Sequence, residues 1–184
     1  MTLLDASQLM QVLETAERDL FRWETLPAYE VASDGSDYRR YLDGAAEPTW
    51  ERKQPWLDTL RAEAQSGRTR RRVRVIHDPI TDYERYECEW GYALNAPAGE
   101  QIRVIDLAET PNPMPHQPDF WLVDGREVVA MHYGSDGRFD GARVLDPQQV
   151  PSHIAAADLA WRLSEDFISW WQRHPQHHRA AHSC

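Results

Sequence analysis

The sequence predicts an α+β fold with an α/β-like core: a strand-helix-strand unit plus an antiparallel hairpin in one mixed sheet, packed by N-terminal helices and a long C-terminal helix. Three observations carry that expectation. Apolar residues recur at helical spacing before residue 66 and again over 148–172. Between them, short β-branched runs at 72–76 and 102–107 flank one helical stretch, the pattern of a βαβ unit with parallel strands. Farther on, Asp124-Gly125 separates two apolar runs, which is the signal of a tight hairpin.

The elements follow in order. Residues 5–20 read as an amphipathic helix, with Asp5 and Gln8 at capping-box spacing and Leu9, Leu13, Ala16 and Leu20 on one stripe. Phe21 to Pro27 reads as an aromatic turn out of it, and 32–48 as loop. A second helix is expected to start with Pro55 at its first position, keep Leu57, Leu60 and Ala64 together, and stop at Gly67. The strand at 72–76 leads into a helix with Asp78 as cap and Pro79 in its first turn. Ile80, Tyr83, Glu87 and Trp90 share one face of that helix, and Gly91 with 95–99 ends it. Prolines at 111, 113, 115 and 118 make 109–118 a loop. The hairpin strands are 120–123 and 127–131, and a further strand lies around 142–145. Residues 148–172 form the longest helix, with Ala157, Ala160, Trp161, Ser164, Phe167, Ile168 and Trp171 on its broad apolar face.

At 184 residues, 41% hydrophobic and 27% charged, the chain fits one globular domain over 1–172. That domain divides into a helical part (1–66), a sheet core (67–146) and the C-terminal helix (148–172), with 173–184 as a flexible tail. No apolar run approaches the roughly 20 residues that cross a bilayer. The start lacks a basic segment of signal-peptide type, and two cysteines, Cys88 and Cys184, make no disulfide framework; the expected compartment is cytoplasmic. A formal charge of −10 argues against direct nucleic-acid binding. Of 20 basic residues only Lys53 is a lysine, and five arginines crowd into 67–74. That block reads either as a charged strand edge or as a contact for an acidic partner or phosphate.

Glu87 is the main local conflict, because its helical position turns a carboxylate toward the sheet among apolar neighbours. An unpaired buried charge is costly, so it needs a cation. Arg72 and Arg74 on the first strand and Arg103 on the second are the expected partners, in a structural ion pair or a ligand site. Asp82 and Tyr83 stand where open α/β sheets bind ligands, although Asp82 equally suits a helix start. His174, His177, His178 and His182 with Cys184 lack a scaffold, and no metal or cofactor is expected. Nucleophile-elbow, P-loop and dinucleotide fingerprints are absent.

Arg71 to Ile76 followed by Pro79, Asp82-Tyr83 and Glu87, then Asn95, Gly99-Glu100, Arg103 and Asp119 to Asp124, resembles the actinobacterial domain-of-unknown-function 6879 family over about residues 10–170. That family has no established activity. The resemblance implies a regulatory role, since its members are typically encoded beside helix-turn-helix regulators. The element order also resembles the phospholipase D-like fold, whose hairpin strand carries His-x-Lys-x4-Asp. Aligned on Asp124, the Lys position is Asp119 and the His position is Gln117, so both reactive residues are missing; His116 is one residue out of register.

The expected function is therefore a non-catalytic cytoplasmic regulatory or ligand-sensing protein acting with a helix-turn-helix regulator. Its expected ligand is an anionic small molecule, held by Arg72, Arg74 and Arg103 with Asp82, Tyr83, Glu87, Asn95, Glu100, Asp119 and Trp121. The alternatives are an enzyme using Glu87 or Asp119 as general acid/base, and an adaptor docking through Trp161, Trp170 and Trp171. Oligomeric state is left open. An open pocket lined by the arginines would favour a ligand; a closed, fully paired core would remove the site.

Overall fold

The computed structural model describes residues 3–30 and 35–179. The expected architecture is present: one mixed sheet of seven strands, in the order β6-β5-β4-β1-β2-β3-β7, with helices against both faces. β2 (Thr69–Ile76) and β3 (Gln101–Asp106) pair in parallel around the intervening helix, and β4 (Phe120–Val123) pairs antiparallel with β5 (Glu127–Tyr133), which pairs with β6 (Phe139–Val144). The Asp124-Gly125 turn has both residues at positive φ, 51° and 64°, as the tight turn closed by the Arg126 amide on the Val123 carbonyl requires.

The largest departure from expectation is β1 (Asp19–Glu24), parallel to β2 and antiparallel to β4 at the centre of the sheet. The first helix, α1 (Ala6–Glu14), stops early, and its expected continuation is strand. Leu20, Arg22 and Glu24 alternate with Phe21 and Trp23, a period of two in which both faces are buried. Buried charge on one face disguises the strand. α2 (Asp37–Leu42) and α3 (Trp50–Gln65) then complete a second parallel crossover; α3 begins before Pro55 and carries that proline in its interior.

The helix after β2 starts at Asp82 rather than at Asp78-Pro79. Thr81 and Glu84 form a reciprocal capping box there, and the Asp78-Pro79 peptide is cis. α4 (Asp82–Tyr86) runs through a π-helical stretch, Glu87–Tyr92, into α5 (Ala93–Ala98), so the helix passes Gly91 and ends at Gly99 with φ +121°. The long C-terminal helix is in fact two. α6 (Val150–Leu163) breaks where Ser164 turns extended. Glu165–Asp166 (β7) then pair with the edge of β3, and Asp166 caps α7 (Phe167–Arg173) by accepting from the Ser169 amide. Ser-Glu-Asp is capping chemistry within an apolar pattern. Residues 173–179 are not a free tail, because α7 reaches Arg173 and one 3-10 turn follows it. Cys184 and His182 lie outside the described residues.

One sheet face packs Phe21, Trp23, Val73, Val75, Ile105, Phe120 and Leu122 under Val150, Ala157 and Ala160 of α6. The other face is apolar at its ends, beneath α1 and α7, and charged in the middle. Among the described residues, no helix is long and apolar enough to cross a membrane.

Candidate functional site

The charged middle follows from strand register. β1 and β2 align Arg22 with Arg72 and Glu24 with Arg74, and paired positions share a face. Four ionisable side chains therefore project side by side from the two central strands. Arg22, Glu24 and Arg74 are buried and Arg72 is partly buried, beneath Tyr29, Tyr92, Tyr133 and the helical run that begins at Asp82.

Each charge on the two strands meets a counter-charge. Glu24 accepts from Arg72 Nη1 at 2.6 Å, Arg22 Nε at 3.2 Å and the Tyr92 hydroxyl at 3.2 Å. Arg72 Nε also donates to Glu100 at 2.9 Å, and Glu100 accepts from the Asn95 amide at 2.8 Å. Lys53 Nζ in turn donates to Asn95 Oδ1 at 2.8 Å. Asp119 accepts from Arg22 Nη2 at 3.0 Å, from the Thr25 amide and hydroxyl at 2.9 and 2.7 Å, and from the Tyr29 hydroxyl. Arg74 pairs with Glu87 at 3.2 Å and stands 3.8 Å from Glu84. Glu84 also receives the amides of His77 and Thr81.

The electrostatics follow from burial and its compensation. Burial alone would push the Glu24 carboxyl up, but Arg72, Arg22 and Arg74 outweigh it and hold the group at about 2. Burial would likewise discharge Arg72 and Arg74; Glu100 and Glu24 for the first, and Glu87 for the second, hold them charged instead. Burial drives Tyr29 and Tyr92 well above the ordinary phenol range, so both remain hydroxyl donors. Three arginines here face five carboxylates: Glu24, Glu84, Glu87, Glu100 and Asp119. Negative charge is in surplus, and an entering anion would meet it.

Most of the expected site residues come together, with two exceptions. Arg72, Arg74, Glu87, Asn95, Glu100 and Asp119 belong to this network. Tyr83 packs in the tyrosine layer above it, and Trp121 lies under the Arg22 guanidinium at 5.2 Å. Arg103 does not belong. It aligns with Val73, so it projects from the opposite face, donates to Ser164 and lies over Trp161. Asp82 is exposed and pairs with Arg85, which is the helix-start role. Sequence reasoning missed Arg22, Glu24 and Glu84. The alternation Leu20 to Glu24 and the spacing Thr81-x-x-Glu84 were the available signals. Trp170, which the adaptor alternative would place in a docking surface, is fully buried in the core.

The hairpin turn is also built by a carboxylate. Asp124 accepts from the amides of Glu17, Arg18 and Asp19 at 2.8–2.9 Å, and these bonds hold its carboxyl at about 2 against the opposing effect of burial. Gln117 lies 3.3 Å from His153 Nε2, and His116 is exposed. Among the described residues, one group has metal-ligand spacing: Asp106, His174 and His177, whose ligand atoms lie within 4.8 Å of one another. The expectation that the tail histidines lack a scaffold is thus corrected for these two.

No curated protein matches the chain significantly. Among solved structures it is similar to a phospholipase D family member, Nuc, from Salmonella typhimurium, with 11% identity and a TM-score of 0.50, covering 86% of this chain and 90% of that one. At that identity the likeness is one of fold alone. Residues 7–172 match a family model, and the chain belongs to the family described as Domain of unknown function (DUF6879).

Proposed function

We propose that this protein is a non-catalytic cytoplasmic regulatory protein that acts with a helix-turn-helix transcriptional regulator. The observation that carries the non-catalytic half is Asp119. In the fold it resembles, a lysine at this position would hold phosphate; here a carboxylate sits in its place and is spent on Arg22, Thr25 and Tyr29. With Gln117 at the histidine position, the hairpin strand offers neither a nucleophile nor a cation for phosphoryl chemistry. Glu87 and Asp119 both sit in the closed network, which argues against either as a general acid/base for an outside substrate. The regulatory half rests on the genomic company that the family resemblance implies in actinobacteria.

Binding of an anionic small molecule is a second reading, and Arg74 favours it. Its three guanidinium nitrogens are buried with no hydrogen-bond acceptor among the described residues, and are compensated by the ion pairs to Glu87 and Glu84 and by the Tyr29 ring. Against this stands the surplus of carboxylates around it. Co-purification from a native host tests the first reading. Recovery of a helix-turn-helix regulator in stoichiometric amount supports it, and a protein that purifies alone at native expression level overturns it.

A further inference from the structure

We propose that Asp106, His174 and His177 form a binding site for one borderline divalent cation, of which Zn²⁺ is the type, and that the bound ion clamps the end of α7 to β3. Asp106 closes β3, and Trp170 Nε1 donates to its Oδ2 at 2.9 Å. His174 follows α7 directly. The 3-10 turn after it, closed by the His177 amide on the His174 carbonyl at 3.0 Å, sets the two imidazoles nearly parallel at 5.3 Å, because 3-10 geometry eclipses i and i+3. Two histidines and a carboxylate are thereby brought together from elements 68 residues apart in sequence.

The hydrogen bonding of His174 points to a cation. Its Nδ1 lies 2.8 Å from the Trp170 carbonyl, which accepts only a donated proton. In the neutral ring Nε2 therefore carries the lone pair. That atom lies 3.8 Å from Asp106 Oδ2 and 3.2 Å from Glu109 Oε1, the two carboxylates with which it would share a cation. A backbone carbonyl behind the distal nitrogen is the outer support that ligating histidines use. Arg173 Nη1 is 3.3 Å from the same Nε2, but its charge is bound by Glu109 and Glu165. Asp106 and Glu109 are the carboxylates that stand beside the His174 imidazole.

Four ligands about 2 Å from a zinc ion stand roughly 3.3 Å apart, so side-chain rotations that close the group by an ångström or so suffice. Imidazole and carboxylate suit Zn²⁺ or Co²⁺ better than Mg²⁺ or Ca²⁺, which prefer all-oxygen sites. Glu109 or water completes the shell.

The test is a titration of the full chain, stripped with chelator, with Co²⁺ followed by Zn²⁺. One equivalent of Co²⁺ should give visible d–d absorption and quench tryptophan fluorescence, because Trp170 is in contact with His174, and Zn²⁺ should displace it and raise Tm. His177 is half-exposed, so His177→Ala should remain folded and lower the affinity at least about tenfold. A His182→Ala/Cys184→Ser double variant should bind as the parent does. Unchanged affinity in His177→Ala, no saturable Co²⁺ spectrum, or binding lost in the double variant would each overturn the assignment.

Discussion

Glu24→Gln removes the charge at the centre of the network while keeping the side chain's shape. The variant leaves the buried Arg22 and the partly buried Arg72 each with one carboxylate fewer. Breaking a buried pair from one side typically costs about 3–5 kcal/mol. Linkage gives an independent figure. The carboxyl moves from an ordinary 4.5 to about 2 on folding, and at about 1.4 kcal/mol per pKa unit that is roughly 3 kcal/mol at neutral pH. Because the folded value is depressed, this stabilisation is complete above the unfolded pKa and is lost as pH falls through the folded one. At pH 3 the same relation leaves about 1 kcal/mol. Chemical denaturation of parent and variant at pH 7 and pH 3 is the assay. A difference of about 3 kcal/mol at pH 7 that shrinks to about 1 at pH 3 is expected. A difference under 1 kcal/mol at pH 7, or one that ignores pH, would refute the reasoning.

Further outcomes follow from the same geometry. A double-mutant cycle between Glu24 and Arg72 should show a coupling of about 1–3 kcal/mol, whereas Glu24 and Arg103, on opposite faces, should be additive to within about 0.5 kcal/mol; equal coupling in both cycles contradicts the register. Asp124→Ala loses three amide bonds at a partly exposed turn and forces alanine to positive φ, so chemical denaturation should show a loss of about 2 kcal/mol, discounted for solvent. Asp124→Asn, which tolerates that φ, should lose less. Inorganic phosphate, compared with chloride at equal ionic strength, should leave Tm unchanged, because carboxylates already surround the arginines. A saturable rise in Tm that Arg74→Met abolishes would favour the anion-sensing reading instead.

How much of this was legible in the sequence depended on which side chains carried the pattern. β3, β4 and the Asp124-Gly125 hairpin were readable because β-branched runs and turn residues act locally. β1 was not, because Arg22 and Glu24 stand where an apolar pattern needs Val or Ile, and their burial makes sense only once Arg72 and Asp119 are known to face them. Glu87 was found from helical spacing, but of its three expected partners, Arg72, Arg74 and Arg103, Arg74 is the one that pairs with it. Arg103 was misplaced because alternation gives two faces within one strand, while the match of faces between strands depends on register. The break at Ser164 was legible as capping residues but was outweighed by the apolar pattern on either side of it.

The central claim of the proposed function is that the charged middle of the sheet is filled by this chain's own ion pairs and that the protein, on that reading, performs no phosphoryl chemistry. Hydrolysis of a bis(nitrophenyl) phosphodiester by the parent and by Asp119→Asn tests it most directly. Both should release nitrophenol at the rate of buffer alone. Turnover by the parent that disappears in Asp119→Asn, with the fold of that variant intact by circular dichroism, would contradict it.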